Sequence, residues 1–258
     1  MSSKPSPLAA ALADIAREAG RLILKHYEGA SEARLKHDRS PVTRADEEAE
    51  ALIVARLTKL SPEIPVVAEE AVAAGAMPRV GARFFLVDPL DGTKEFLSRN
   101  GEFTVNIALI ENEAPVCGVV LAPALGRAFA GDVAAGAAFE LLPEGGARAI
   151  RARTAPEEGL TAVVSRSHRD AKTEEFLAHY KIARMVAAGS SLKFCLIAAG
   201  EADLYPRHGR TMEWDTAAGH AVLAAAGGSV TQLDGAPFLY GKAAQGFANP
   251  HFVARGRD

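Results

Sequence analysis

Apolar residues Leu8, Leu12, Ile15, Ala16, Ala19, Leu22 and Ile23 recur at helical spacing and Gly29 closes the run, so the chain opens with an amphipathic helix. A second helix is predicted over residues 43–60, with Ala45, Ala49, Leu52, Ile53, Leu57 and Leu60 on one face. Residues 32–40 between them are polar and charged and read as a mobile loop. Strand-like runs follow at 64–68, 83–87, 104–110, 116–121 and 127–131. Val105, Ile107 and Leu109 alternate with Asn106 and Ala108, which predicts a sheet with one face more polar.

Pro143-Glu144-Gly145-Gly146 is a turn, and the Pro- and Gly-containing stretch 154–159 is the best boundary. It divides the chain into an N-terminal α+β part (1–155) and a C-terminal α/β part (156–258). The second part alternates strands at 162–164 and 184–186 with helices at 173–180, 191–199 and 216–226. Gly227-Gly228 ends the last helix as a C-cap. This order predicts α/β layering.

The chain has 258 residues, enough for a large core, and a net charge of −3 from 29 basic and 32 acidic residues. Scattered basic residues give no footprint for nucleic acid or a polybasic membrane patch. Asp14 interrupts the first apolar run and no long apolar stretch follows, so the expectation is a cytoplasmic protein without a transmembrane segment. Peripheral association with the inner membrane stays open. Cys117 and Cys195 lie too far from other ligands for a zinc site and read as free buried thiols.

The chemistry concentrates in acids. Asp88-Pro89-Leu90-Asp91-Gly92-Thr93 follows the apolar run Phe84-Phe85-Leu86-Val87, and Gly92 and Thr93 offer backbone N–H groups beside the two carboxylates. Hard oxygen ligands next to free N–H groups suit Mg²⁺ and a phosphate held together; the plain alternative is a self-capped Asp turn. Val66-Val67-Ala68-Glu69-Glu70, Glu213-Trp214-Asp215-Thr216-Ala217 and Ser40-Pro41-Val42-Thr43-Arg44-Ala45-Asp46 place further acids at strand ends or helix starts, where ligand sites gather in α/β folds. Thr43 and Asp46 also match a capping box.

These four segments, in this order, resemble the inositol monophosphatase superfamily of Mg²⁺-dependent, lithium-sensitive phosphatases, and within it the bacterial 3′(2′),5′-bisphosphate nucleotidases. The resemblance runs from about Leu8 to Phe252. It implies a layered α-β-α-β-α sandwich, the fold shared with fructose-1,6-bisphosphatase. It also implies two or three Mg²⁺ per site. Glu69, Asp88 and the Leu90 carbonyl would hold the first ion, and Asp88, Asp91 and Asp215 the second. Two cations neutralise a phosphate dianion and clamp its attacking and leaving oxygens. Catalytic roles fall to Asp46, Thr93 and Glu69, with Asp46 bonded to Thr93 to help deprotonate the attacking water. Glu70 is either an electrostatic neighbour or a solvated acid.

Three features tilt the resemblance towards a nucleotide: Lys94-Glu95-Phe96, Ser165-Arg166-Ser167-His168, and Gly189-Ser190-Ser191-Leu192-Lys193-Phe194-Cys195 followed by Asp203-Leu204-Tyr205-Pro206-Arg207. The implied substrate contacts are Gly92, Thr93, His168, Ser190, Lys193, Arg207 and Asp215. Each has a plain alternative: Lys193 as a snorkelling helix lysine, His168 as a loop residue, Ser190 as a helix cap. The implied reaction is hydrolysis of adenosine 3′,5′-bisphosphate to AMP and phosphate, with 3′-phosphoadenylyl sulfate as a related substrate. The competing readings are an inositol or sugar-phosphate phosphatase and a non-catalytic partner of transcription machinery.

Overall fold

The computed structural model describes residues 4–29, 33–35, 41–166 and 171–257. Helix α1 (Pro7–Glu28) starts where the Ser6 side chain accepts from Ala9 N and Pro7 occupies the first turn, and it ends at Gly29. Its Leu12, Ala16, Ala19 and Ile23 are buried as the spacing predicts. Between α1 and the next helix, β1 (Ala33–Leu35) pairs antiparallel with β2 (Pro41–Thr43), so the expected loop contains a short ladder; residues 30–32 and 36–40 lie outside the described residues. Helix α2 (Arg44–Leu60) buries Ala45, Ala49, Ile53 and Leu57. Leu60, its last residue, is exposed rather than part of the packed face.

A seven-stranded sheet forms the centre, in the order β3 (Val66–Ala68), β4 (Arg83–Asp91), β5 (Thr104–Glu111), β6 (Ala114–Ala122), β7 (Arg127–Asp132), β8 (Ala137–Leu141) and β9 (Ala147–Ile150). Only β3 and β4 run parallel. β4 runs four residues beyond its expected end, through Pro89, because its register shifts between Asp88 and Asp91 and spares the proline a ladder bond. Short helices α3 (Glu69–Ala73) and α4 (Thr93–Leu97) follow β3 and β4 directly.

The second sheet has the order β11 (Ile182–Ala188), β10 (Leu160–Ser165), β12 (Leu204–Arg207), β14 (Phe252–Arg255) and β13 (Ser229–Gln232), with β10 parallel to both its neighbours and the β14 pairs antiparallel. Helices α5 (Ala171–Leu177), α6 (Leu192–Ala198) and α7 (Glu213–Ala225) complete the chain. α7 begins three residues before its expected start, and Gly227 caps its far end with a left-handed backbone.

Three cores set the layers. α1 and α2 pack on Val105, Ile107 and Leu109. Ala108, Ile110 and Val120 on the opposite face meet α6, α7 and the inner face of the second sheet. Leu177 of α5 covers that sheet's outer face with Val164 and Leu204. The result is an α-β-α-β-α sandwich. The expected polar face of the central sheet is therefore absent: helices cover it on both sides, and even Asn106 is buried. α7 lies so close that a Cβ on Gly118 would sit 2.7 Å from Ala218 O, and one on Gly131 2.6 Å from Val222 Cα. Glycine at both places lets helix and sheet touch.

Candidate active site

The ends of β4 and β12 and the starts of α3, α4 and α7 converge on a cavity of about 250 Å³. Its lining includes Glu69, Asp91, Gly92, Thr93, Ser190, Lys193, Arg207 and Asp215, eight of the residues singled out in the sequence. Asp46, Asp88 and Leu90 are buried and are not among its lining residues. His168 lies outside the described residues.

Local structure explains each placement. Glu69 opens α3, whose N-cap Ala68 offers no side chain to the helix. Glu50 of α2 supplies it instead, accepting from Glu70 N and Ala71 N, both at 2.7 Å. Glu50 was not flagged by the sequence, although it sits one helical turn after Asp46. Glu70 contributes its backbone N–H to this cap and is half-buried, so it is not a freely solvated acid.

Asp46 reconciles its two readings. Its Oδ2 accepts from Thr43 N at 2.7 Å and Thr43 Oγ1 at 2.6 Å, while its Oδ1 accepts from Thr93 Oγ1 at 3.2 Å. One carboxylate is both helix cap and partner of Thr93. Gly92, in a left-handed conformation, turns the chain from β4 into α4; a Cβ there would collide with Ser190 Oγ.

The acids themselves are held by backbone donors. Asp88, 1 % exposed, accepts from Leu90 N at 3.0 Å. Asp215 occupies the third position of α7, within the first turn rather than ahead of the helix, and accepts from Met212 N at 2.7 Å. Asp91 Oδ2 accepts from Ser191 N at 2.7 Å and lies 3.0 Å from Ser191 Oγ. Among the described residues, no group of three or more His, Cys, Asp or Glu side chains stands ready to hold a metal ion. The charge balance nevertheless fits a cation. Burial, Glu95 and Glu69 push the Asp91 carboxyl up, against Lys193 and Ser191; burial, Asp91 and Glu69 push Asp215 up further. Crowded carboxylates that resist joint ionisation, all with hard oxygen donors, are what a divalent ion relieves.

Two of the cations lining the cavity, Lys193 and Arg207, are buried. Lys193 is 4 % exposed, so it is not a snorkelling lysine; Nζ donates to the Ser190 and Ala188 carbonyls and lies 5.2 Å from the Tyr205 ring centroid. Burial lowers its pKa to about 8, against the pull of Asp91. Arg207 is 9 % exposed and its Nε has no hydrogen-bond partner among the described residues. Ser190 does not cap α6: its Oγ lies 2.8 Å from both the Asp91 and Glu102 carbonyls, and Ser191 is the N-cap. Glu102 also receives Arg166 in a two-pronged ion pair and Gly189 N, fixing the segment before α6. Glu213, passed over in the sequence, is fully buried and accepts from Gly241 N, Lys242 N and Lys242 Nζ beside Asp215. No helix among the described residues is long and apolar enough to cross a membrane.

The inositol monophosphatase family model matches residues 4–255. The chain is 46% identical over 241 residues to the 3′(2′),5′-bisphosphate nucleotidase CysQ of Escherichia coli K12, covering 92% of this chain and 95% of that protein. It is 31% identical to the protein of the same name from Haemophilus influenzae, covering 94% and 90%. Among solved structures it is similar to CysQ of Bacteroides thetaiotaomicron, described as a bacterial member of the inositol monophosphatase family (TM-score 0.81, 38% identity, 97% of both chains). It is also similar to the Thermotoga maritima IMPase (TM-score 0.72, 26% identity, 94% and 89%).

Proposed function

This chain belongs to the inositol monophosphatase family, and on that premise we propose that it is a 3′(2′),5′-bisphosphate nucleotidase acting on adenosine 3′,5′-bisphosphate. The products are AMP and inorganic phosphate, and 3′-phosphoadenylyl sulfate is a second substrate. The observation that carries the substrate class is the pair of buried cations, Lys193 and Arg207, in the same cavity as Glu69, Asp91 and Asp215. A bisphosphate brings one phosphate to the acids and a second, remote one to the cations. The guanidinium of Arg207, whose buried Nε is unpaired among the described residues, supplies a fork of donors suited to that remote group.

Enzymes of this family are metal-dependent. Glu69, Asp88, the Leu90 carbonyl, Asp91 and Asp215 would hold two or three Mg²⁺, which would supply charge neutralisation at the phosphoryl oxygens and a more nucleophilic water. The chain's own groups do the rest. The Thr93 hydroxyl donates a hydrogen bond to Asp46 Oδ1, which leaves its oxygen lone pairs turned to accept a hydrogen bond from the attacking water. Gly92 and Thr93 present backbone N–H groups to the reacting phosphate, with the positive end of α7 nearby. His168 and Ser190 complete the nucleotide contacts. The unit 1–155 carries the seven-stranded sheet and the β1–β2 ladder, the unit 156–258 carries the five-stranded sheet, and the reaction would lie at their seam. Two buried free thiols suit a reducing compartment such as the cytoplasm.

Phosphate release with Mg²⁺ on adenosine 3′,5′-bisphosphate and on inositol 1-phosphate tests the proposal. The bisphosphate should be preferred by a large factor in kcat/KM. Equal or reversed preference would restore the sugar-phosphate reading.

A further inference from the structure

We propose that Ser191 is a positioning residue that couples the nucleotide-contacting segment to the metal-holding acids; the inference rests on the phosphatase reading above. Ser191 is 1 % exposed. Its N–H donates to Asp91 Oδ2 at 2.7 Å, and its Oγ lies 3.0 Å from that oxygen and 2.6 Å from the Asp215 carbonyl oxygen. Asn106 Nδ2 donates to the same Oγ at 2.8 Å. One hydroxyl therefore touches the carboxylate of Asp91 and the backbone carbonyl of Asp215, which arrive from different layers: Asp91 from the end of β4, Asp215 from the first turn of α7.

A second observation shows that this arrangement is not ordinary capping. A serine at an N-cap normally turns its oxygen onto the N–H groups of its own helix. Ser191 is the N-cap of α6 and makes no such bond. Its hydrogen-bonding capacity is directed outward, at Asp91, Asp215 and Asn106. The neighbouring residues Ser190 and Lys193 line the cavity itself, and Lys193 Nζ donates to Ser190 O. An anion drawn to Lys193 orders the segment that also holds Asp91 and Asp215. Linkage makes the effect reciprocal, so nucleotide and Mg²⁺ each tighten the other's binding through this turn.

The test is calorimetric titration of Mg²⁺ into wild-type protein and Ser191→Ala, with and without AMP, which keeps the remote phosphate. AMP should tighten Mg²⁺ binding in the wild type. Ser191→Ala should weaken it on the order of ten- to a hundred-fold and lose most of the AMP effect. A purely architectural serine would lower the metal-free thermal midpoint and leave Mg²⁺ affinity unchanged, and that result overturns the inference. If Ser191→Ala does not fold, Ser191→Cys, which keeps a weak donor, is judged by the same affinities. Wild-type protein that binds no Mg²⁺ overturns the metal assignment itself, and the coupling with it.

Discussion

Thr93 Oγ1 donates to Asp46 Oδ1 at 3.2 Å, while the other oxygen of that carboxylate caps α2 through Thr43. Catalysis and folding thus draw on different oxygens of one side chain. Asp46→Ala should lose both: about 1–2 kcal/mol of stability with the cap, and roughly a hundredfold or more in kcat with the proton acceptor. Thr93→Val should lose kcat alone. Denaturant unfolding beside steady-state rates separates them; a Thr93→Val enzyme with wild-type kcat would remove the hydroxyl from the mechanism.

Lys193 and Arg207 give a selectivity prediction. A charge-assisted hydrogen bond is worth roughly 1.5–3 kcal/mol, so Arg207→Ala should lose about ten- to a hundredfold on adenosine 3′,5′-bisphosphate and far less on a monophosphate without the remote group. Lys193→Ala should act in the same direction. With its pKa lowered to about 8, the Lys193 ammonium is present below that pH and lost above it. The KM for the bisphosphate should rise as pH passes through about 8 in the wild type and not in Lys193→Ala. A loss shared equally by both substrates would reassign these cations to the reacting phosphate or to the fold.

The long amphipathic helices and the central strands were legible because their apolar spacing is continuous, as in Leu12, Ala16, Ala19 and Ile23. Strands β8, β9, β12, β13 and β14 were not, because runs of four or five residues owe their state to neighbours rather than to a pattern of their own. The candidate acids could be read from four short motifs. The residues that steady them could not: Glu50 reaches α3 from a helix twenty residues earlier, and Ser191 meets Asp91 across a hundred residues. Such contacts exist only once the layers have stacked. N-cap preference alone would have favoured Ser191 over Ser190, since α6 begins at Leu192.

Glu50 is the next target. Its carboxylate is the acceptor for two N–H groups at the start of α3, next to Glu69. Glu50→Gln turns one acceptor into a donor facing a donor, so stability should fall by about 1–2 kcal/mol. Activity should fall too, with more Mg²⁺ needed for half-maximal rate, because Glu69 sits on the loosened turn. A variant that is less stable yet has unchanged Mg²⁺ dependence would make Glu50 a helix cap and nothing more.

The last prediction concerns acid stability and His220. Its Nδ1 lies 3.0 Å from Tyr240 OH, which donates to Thr216 Oγ1 at 3.3 Å, and the Phe238 and Tyr240 rings flank the imidazole. Burial lowers its pKa from the ordinary 6.5 to about 4. Between those values the unfolded chain binds a proton that the native state refuses, so stability falls as pH drops through that window and is unaffected by this group above it. The full shift corresponds to roughly 3 kcal/mol; the ring keeps some contact with solvent, so the swing should be smaller. Urea unfolding of wild type and His220→Gln across the window isolates the effect, because the carboxylates contribute alike to both. The difference in stability between the two proteins should change in favour of the glutamine variant as pH falls. A difference independent of pH would mean that His220 takes up its proton as readily in the native state as in the unfolded chain, and that burial does not hold it neutral.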